Sequence, residues 1–350
     1  MTIRVGIIGA GRIGQLAHLQ GLAGDPACAV VAIADLRPEL ARRVADKFAI
    51  ARVYTDHRAL LADNSIDAVF VVTHRYQTAA VVRDALQAKK HVFSEKPMAL
   101  DSGTARELVS LAERQGVLYA VGYMKRYDPW VALAKANVDQ AAGRDPVHLI
   151  RISCFGGDTE RDDAYLMTDE PRPSADRATF MPEWLPKPLH ASYDSFLNVY
   201  SHDVDLALYL ASSDLALSHA VMLDENCHHV LLRNERLAVS LDTAAIPGKD
   251  WRESLDLVSG ENLLSVRLPA PLDSQSQGAA TFSDPDTRSL APENNTWAFQ
   301  SQGAAFIRAV RGETTFRSTG AQALRALELT EDIFRAYVKQ APMESRHVAQ

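Results

Sequence analysis

The chain has 350 residues, of which 47% are hydrophobic, so it can bury more than one core and two domains are expected. Its formal net charge is −7, from 37 basic and 44 acidic residues, which argues against nucleic acid or an anionic membrane as a partner because both require a positive surface. No apolar run approaches the roughly 20 residues that span a bilayer, and the first strand begins too early to leave room for a signal peptide. We therefore expect a cytoplasmic protein.

The chain opens with a strand, a glycine turn and a helix. The apolar run Ile3–Ile8 leads directly into a GxGxxG pattern. The first glycine permits a tight turn, the second lets a pyrophosphate approach the backbone, and the third lets the helix pack on the strand. Free N–H groups and the positive dipole end of this helix favour phosphate oxygens. The predicted phosphate-binding positions are Gly9, Gly11, Arg12, Ile13 and Gly14.

A carboxylate follows the second strand at the spacing of a ribose-binding acid. Val30 to Ala34 is a second apolar run, and it ends at Asp35, 21 residues after Gly14. The charge of Asp35 would repel a 2′-phosphate, so the sequence favours NAD as the cofactor. Arg37 leaves NADP as an alternative, because an arginine there could either stack on adenine or pair with a 2′-phosphate.

Alternating strand and helix patterns continue to about residue 122 and then stop. They predict an α/β fold that begins with a Rossmann domain at 1–122, a doubly wound parallel sheet that binds its ligand at the carboxyl ends of the strands. Closely spaced strand patterns after residue 123 predict a second α+β domain, at 123–350, with a large, mostly antiparallel open sheet. Residues 156–195 read as a long irregular segment and 271–296 as a surface excursion. Two helices end the chain, and we expect them to pack back on the first domain.

Three motifs resemble one known family. They are KHVFSEKPMAL after the fourth predicted helix, GYMKRYDP at 122–129 and SHDVD at 201–205. Together with the opening GIIGAGRIG and the late GAAFIRAVRGE, they resemble the glucose-fructose oxidoreductase and inositol dehydrogenase family, Gfo/Idh/MocA, over nearly the whole chain. The resemblance implies an NAD(P)-dependent dehydrogenase or reductase that acts on a sugar, a cyclitol or a related polyol. It also implies a homodimer or homotetramer.

Three residues are the predicted catalytic groups. The ammonium of Lys96 would stabilise alkoxide character on the substrate oxygen, and the imidazole of His202 titrates near neutral pH and can exchange the proton. SHDVD is also an ordinary helix start, with Ser201 as its cap and acids near the dipole. The resemblance favours catalysis, although Asn198 stands where many family members have aspartate. Asparagine can orient the ring or bind a substrate hydroxyl, but it cannot raise the histidine pKa.

The resemblance assigns further contacts to the cofactor and the substrate. It implies that Glu95 anchors the nicotinamide ribose, that Lys96 also contacts the cofactor, and that Thr73 and His74 lie at a cofactor turn, where the usual threonine-proline is missing. Lys125 and Arg126 are expected beside the cleft. Trp184 could stack on a sugar face, or it could be a packing anchor. If the acidic segment 156–195 roofs the pocket, it suits a neutral polyhydroxy substrate.

Cysteine and histidine positions predict no metal site. Cys28, Cys154 and Cys227 are far apart and form no CxxC pattern. Cys227, His228 and His229 are adjacent on a predicted strand, where neighbouring side chains point to opposite faces and cannot converge on one ion. Two other functions stay open on the same fold. One is a redox-neutral sugar-processing enzyme with tightly bound NAD, and the other is a non-catalytic ligand-sensing regulator, against which the presence of both Lys96 and His202 argues.

Overall fold

The first half of the chain forms a parallel sheet. The computed structural model describes residues 2–141, 145–156, 165–172, 180–246, 251–284 and 286–340. Six strands lie in the order β3-β2-β1-β4-β5-β6, and every neighbouring pair is parallel. They are β1 Ile3–Ile8, β2 Cys28–Ala34, β3 Arg52–Tyr54, β4 Ala68–Val71, β5 His91–Ser94 and β6 Tyr119–Val121. This order reverses between β1 and β4, so the predicted doubly wound Rossmann sheet is confirmed.

Helices connect these strands and also end the chain. A π-helical stretch, Gly14–Leu19, follows the glycine turn, and short 3-10 turns lie at Met124–Tyr127 and Lys187–Leu189. None of the helices in the described ranges is long and apolar enough to cross a membrane. The α-helices are α1 Gln20–Leu22, α2 Pro38–Lys47, α3 His57–Leu61, α4 Arg75–Gln87, α5 Ser102–Gln115, α6 Pro129–Ala141, α7 His190–Asn198, α8 Ser201–Ala211, α9 Ala298–Val310 and α10 Gly320–Gln340.

A second, larger sheet follows, as predicted. Its eight strands have the order β14-β13-β12-β11-β7-β10-β9-β8, and of these pairs only β7 with β10 is parallel. Leucine, isoleucine and valine alternate with polar residues along its central strands, so one face is buried and the other is accessible. The strands are β7 Leu149–Gly156, β8 Ala216–Met222, β9 His228–Arg233, β10 Ala238–Ala245, β11 Arg252–Ser259, β12 Asn262–Leu268, β13 Ala279–Asp284 and β14 Asp286–Leu290.

The two faces of the parallel sheet enter different cores. On one face, Val69 and Val71 join a core that continues to the inner face of the larger sheet. On the other, the Phe70 and Phe93 rings stack with centroids 4.6 Å apart and meet Phe306 of α9 edge-on. Helix α9 therefore lies against the parallel sheet, whereas α10 packs on α5 and β8. The two-domain division at 122 and 123 stays a prediction.

Two expectations about irregular segments were wrong. Residues 190–198 form helix α7 because Tyr193, Phe196 and Leu197 share one apolar face that is fully buried. The predicted surface excursion contains β13 and β14, which extend the larger sheet by pairing with its edge at β12. Short strands with few apolar residues carry little periodic signal. The expectation for 157–164 and 173–179 lies outside the described residues.

Two consecutive basic residues after β6 fasten the larger sheet to the first one. The guanidinium of Arg126 forms a two-pronged ion pair with Asp205 of α8, at 2.7 and 2.8 Å, and both side chains are at most 3% exposed. Lys125 pairs with Glu253 of β11, and both are buried. Charged groups lose their hydration on burial. Removing one member of either pair would therefore leave the other as a buried charge without compensation, which is strongly destabilising.

We expect Arg126→Met to lower the free energy of unfolding by about 3 to 5 kcal/mol, because the Asp205 carboxylate would be left buried without its partner. Urea titration followed by circular dichroism measures this loss. The matched control is Arg106→Met, which removes an exposed ion pair with Glu328 and should cost about 1 kcal/mol or less. Equal losses in the two variants would contradict the structural role of the buried pair.

Candidate active site

The glycine turn has the shape of a phosphate-binding turn. Gly9 has a φ of +111°, and a Cβ on it would lie 2.2 Å from the Val72 carbonyl oxygen. A Cβ on Gly14 would lie 2.5 Å from the Gly9 oxygen, so neither position accepts a side chain. Gly11 has no atom within 4 Å of the corresponding point, which leaves open space above the turn. A dinucleotide pyrophosphate fits this arrangement.

The carboxylate of Asp35 lies at the end of β2, beside the turn. It accepts a hydrogen bond from the Ala10 backbone N–H at 2.8 Å. The guanidinium of Arg37 donates to both of its oxygens, at 2.9 and 3.1 Å, and the Arg37 N–H donates to it as well. In this arrangement the Arg37 guanidinium is already engaged by Asp35. Its position beside the ribose acid favours the adenine-stacking alternative over the phosphate-pairing one.

The EKP motif leaves the carboxyl end of β5, at the same edge of the sheet. Glu95 pairs with His18 at 2.8 Å, and His18 is almost fully buried against the rings of Phe70, Phe93 and Phe299. The other Glu95 oxygen accepts the Lys96 backbone N–H at 3.1 Å. His18 was not predicted as a site residue, and it fixes the carboxylate that the resemblance assigns to the nicotinamide ribose.

Lys96 reaches from the parallel sheet to the helices of the second half. Its ammonium donates to the backbone oxygen of Asn198, the last residue of α7. Burial lowers the pKa of Lys96 to about 8, because desolvation disfavours the charged amine and the charges of Arg75 and Lys125 add to this effect, while Glu95 opposes it. An amine with such a pKa can gain or lose a proton near neutral pH.

His202 lies in the first turn of α8, close to Lys96. Desolvation holds the pKa of His202 well below its usual value, and the charges of Lys96 and Lys125 lower it further. The imidazole is therefore neutral at physiological pH. It meets Tyr123 edge-on, and its buried Nδ1 has no partner among the described residues. A helix does begin at Ser201, but the Ser201 hydroxyl donates to the Leu197 carbonyl, so the predicted capping role of Ser201 was wrong.

Asp203, the next residue of α8, lies in a buried acidic cluster with Glu253 of β11. Burial raises the pKa of Asp203 well above its usual value, and the nearby Glu253 carboxylate raises it further, against the charge of Lys125. No N–H or O–H group of the described residues donates to Asp203, whose neighbour is the weakly donating thiol of Cys154. Burial and the Glu253 carboxylate thus favour the protonated form of the Asp203 carboxyl by raising its pKa. Within the described ranges, no three His, Cys, Asp or Glu side chains are grouped so as to hold a metal ion.

The turn after β4 contributes an arginine that sequence reasoning left without a role. Arg75 donates to both oxygens of Asp194 of α7, at 2.6 and 2.7 Å, and Asp194 is buried. This pair joins the turn to the helix that ends at Asn198. Thr73 contacts the Thr78 hydroxyl at 3.3 Å, whereas His74 is exposed and packs on Tyr76. The only sequence signal for Arg75 was its place in a turn that departs from the family pattern.

Three predicted substrate contacts lie in different surroundings. Lys125 is buried in its ion pair with Glu253, although its charge still acts on Lys96 and His202. The Arg126 guanidinium lies inside the fold with Asp205, which favours a structural role. Trp184 packs edge-on against Tyr193, with the Arg335 guanidinium 4.1 Å from its ring centroid, and this favours the packing alternative.

Comparison with known proteins identifies the first part of the chain. Residues 3–123 match the model of an oxidoreductase family with an NAD-binding Rossmann fold, Gfo/Idh/MocA. The chain carries the NAD-binding domain of this family. The family recognised from the sequence is thus confirmed for residues 3–123, and so is the predicted NAD(P)-type cofactor fold.

Relatives extend the comparison beyond this domain. An uncharacterized oxidoreductase of Bacillus subtilis, YrbE, is 32% identical over 218 residues, which cover 62% of this chain and 56% of YrbE. Myo-inositol 2-dehydrogenase of Thermotoga maritima is 28% identical over 229 residues, 64% of this chain and 60% of that protein. The matched part thus spans less than two thirds of these relatives. The 3-ketoreductase KijD10 of Actinomadura kijaniata, crystallised with NADP and TDP-benzene, has the same fold with a TM-score of 0.75 at 21% identity, covering 96% of this chain and 98% of that one.

A substitution at Gly11 can affect cofactor binding without affecting folding, because there is open space next to this residue. Gly11→Val should leave the melting temperature unchanged, because a Cβ at this position has no protein atom within 4 Å, and should weaken NADH binding by at least about tenfold by filling the pyrophosphate space. Gly9→Ala is the contrasting variant. It should lower the melting temperature, because its Cβ collides with the Val72 carbonyl. Thermal melts and NADH fluorescence titrations measure both effects, and undiminished NADH binding by Gly11→Val would contradict the assignment of the turn.

Proposed function

We propose that the protein is an NAD-dependent oxidoreductase that transfers a hydride between nicotinamide and a carbinol or carbonyl carbon of a sugar, cyclitol or related polyol. One observation carries this proposal. An amine with a pKa of about 8 and a neutral imidazole interact electrostatically at the carboxyl end of the parallel sheet, on the same edge as the glycine turn. A carbinol oxidation needs such a pair beside the hydride acceptor.

The residues of the chain bind and orient the reactants. The turn at Gly9 to Gly14 and the carboxylate of Asp35 would hold the pyrophosphate and the adenosine ribose, and Glu95, fixed by His18, would hold the nicotinamide ribose. The bound nicotinamide would supply the group that accepts or donates the hydride. The exposed amide of Asn198 lies at the end of α7, four residues before His202, where it can bind a substrate hydroxyl.

Lys96 is the group whose ionisation suits the proton step. In reduction its ammonium donates a proton to the carbonyl oxygen, and in oxidation the neutral amine takes the proton back from the hydroxyl. The charge also polarises the carbon–oxygen bond before the hydride moves. Burial and the adjacent ammonium keep His202 neutral. Its imidazole would accept a hydrogen bond from the substrate hydroxyl, or it would relay the proton of that hydroxyl to Lys96.

The substrate class rests on similarity and on the polar groups of the site. Myo-inositol 2-dehydrogenase and a 3-ketoreductase are among the proteins that this chain resembles. A panel of inositols, aldoses and keto-sugars, assayed with NAD(H) and NADP(H) at the absorbance band of the reduced nicotinamide, tests the proposal. A cofactor that stays bound without net reduction would instead support a redox-neutral enzyme. A protein that binds neither dinucleotide would overturn the proposed function.

We expect Lys96→Met to lower kcat by about 100-fold or more, because the proton donor and its charge are lost. NADH affinity should remain within about threefold, since this side chain contributes little to the rest of the dinucleotide site. Lys89→Met is the control, because Lys89 lies on the surface seven residues earlier and should leave kcat unchanged. Turnover by Lys96→Met at the wild-type rate would remove Lys96 from the mechanism.

The kcat/KM values for reduction and for oxidation should change in opposite directions as Lys96 loses its proton with rising pH. Reduction requires the ammonium, so its kcat/KM should fall as the pH rises through about 8. Oxidation requires the neutral amine, so its kcat/KM should rise over the same range and then level off. His202 stays neutral across this range because its pKa lies well below 6.5. Profiles that turn near pH 6 instead would assign the proton step to the histidine.

A further inference from the structure

A segment that follows β7 in the chain lies across the adenosine end of the predicted cofactor site. We call residues 165–172 the strap. The side-chain amide of Gln15, just after the glycine turn, donates to the Leu166 oxygen at 3.0 Å and accepts the Leu166 N–H at 2.8 Å. Arg43 of α2 donates to the Met167 oxygen at 3.0 Å. The strap is thus attached both beside the phosphate-binding turn and on the helix that follows Asp35.

The strap places a carboxylate on the first free N–H groups of α2. Glu170 Oε1 accepts the Glu39 N–H and Oε2 accepts the Leu40 N–H, both at 2.9 Å. Arg37, the N-cap residue, provides no side-chain cap, and Pro38 has no N–H, so the helix has no local group for these donors. Glu170 therefore completes α2 from 130 residues away in the sequence.

The environment of Glu170 keeps it ionised. Partial burial of Glu170 opposes ionisation, but the two N–H groups, the Thr168 hydroxyl and the nearby Arg37 charge together lower its pKa below the usual value. The Thr168 hydroxyl donates to Oε2 at 2.8 Å. At neutral pH the carboxylate is thus a fixed negative charge at the positive end of a helix.

This is the place that a 2′-phosphate would need. The acid at the end of β2 marks the adenosine ribose, and a phosphate on the 2′-oxygen would extend from Asp35 toward the start of α2. An NADP site supplies an arginine or free helix N–H groups there. In this protein the Arg37 guanidinium is engaged by Asp35, and the N–H groups of residues 39 and 40 are engaged by Glu170.

We propose that Glu170 selects NAD over NADP, because its carboxylate occupies the helix N–H groups that a 2′-phosphate would use and repels the phosphate charge. This inference rests on the proposed dinucleotide site and names the cofactor that the site prefers. It assigns the selection to two carboxylates from different parts of the chain. Asp35 accepts the ribose hydroxyls, and Glu170 closes the neighbouring anion position.

The test compares the two reduced dinucleotides in direct binding, which needs no substrate. Dissociation constants for NADH and NADPH are measured by nicotinamide fluorescence for the full chain and for Glu170→Gln. We expect the wild-type protein to prefer NADH. Glu170→Gln should lower the NADPH/NADH ratio of dissociation constants by about tenfold, equivalent to about 1.4 kcal/mol. The NADH constant of the variant also reports that the site is still folded.

Asp169→Asn is the matched control. It removes one negative charge from the adjacent, exposed position of the strap and leaves the α2 N–H groups occupied. We expect the ratio to stay within about twofold of the wild-type value. An equal change in both variants, no change in Glu170→Gln, or a wild-type preference for NADPH would each overturn the role of Glu170. Binding of neither dinucleotide by any variant would instead overturn the proposed function.

Discussion

The ion pair between Arg126 and Asp205 is the contact on which the site geometry depends. Arg126 follows the last strand of the parallel sheet, and Asp205 lies three residues after His202 on the same helix. A two-pronged pair that is shielded from water tolerates little displacement, because separating its members would leave buried charges unpaired. It therefore fixes the imidazole relative to the sheet edge that carries Lys96. Lys125 and Glu253 fix the larger sheet in the same way.

Burial sets the ionisation of each group at this seam. The charges of Lys96 and Lys125 act on His202, and the charges of Arg75 and Lys125 act on Lys96. The imidazole therefore stays neutral, the Lys96 amine loses its proton near pH 8, and burial raises the pKa of Asp203. The Asn198 amide adds no charge to this balance, whereas an aspartate would stabilise the imidazolium. Asparagine at position 198 is thus consistent with a site in which Lys96, and not His202, gains and loses the proton near neutral pH.

The fold could be predicted in outline because its signals are local. Apolar runs separated by helical patterns predicted the parallel sheet, and closely spaced strand patterns predicted the second sheet. Helix α7 and strands β13 and β14 were missed. The first lies within a proline-rich stretch, and the other two are short, polar strands whose place depends on pairing with β12. Such strands form because the edge of a neighbouring strand is available for pairing. Their own residues do not indicate which strand that will be.

The sequence alone determined the glycine turn and the acid at the end of β2, because each lies in a short motif whose residue types and spacing have a direct chemical reason. Lys96 and His202 were proposed as the proton pair with the help of the family resemblance. Only the tertiary structure decided that Arg75 pairs with Asp194, Lys125 with Glu253 and Glu170 with α2. These partners are about 120 to 130 residues apart, and nothing in their local sequence marks the match. The tertiary structure also decided the ionisation of the site residues, since a pKa depends on the burial and the charges that folding brings together.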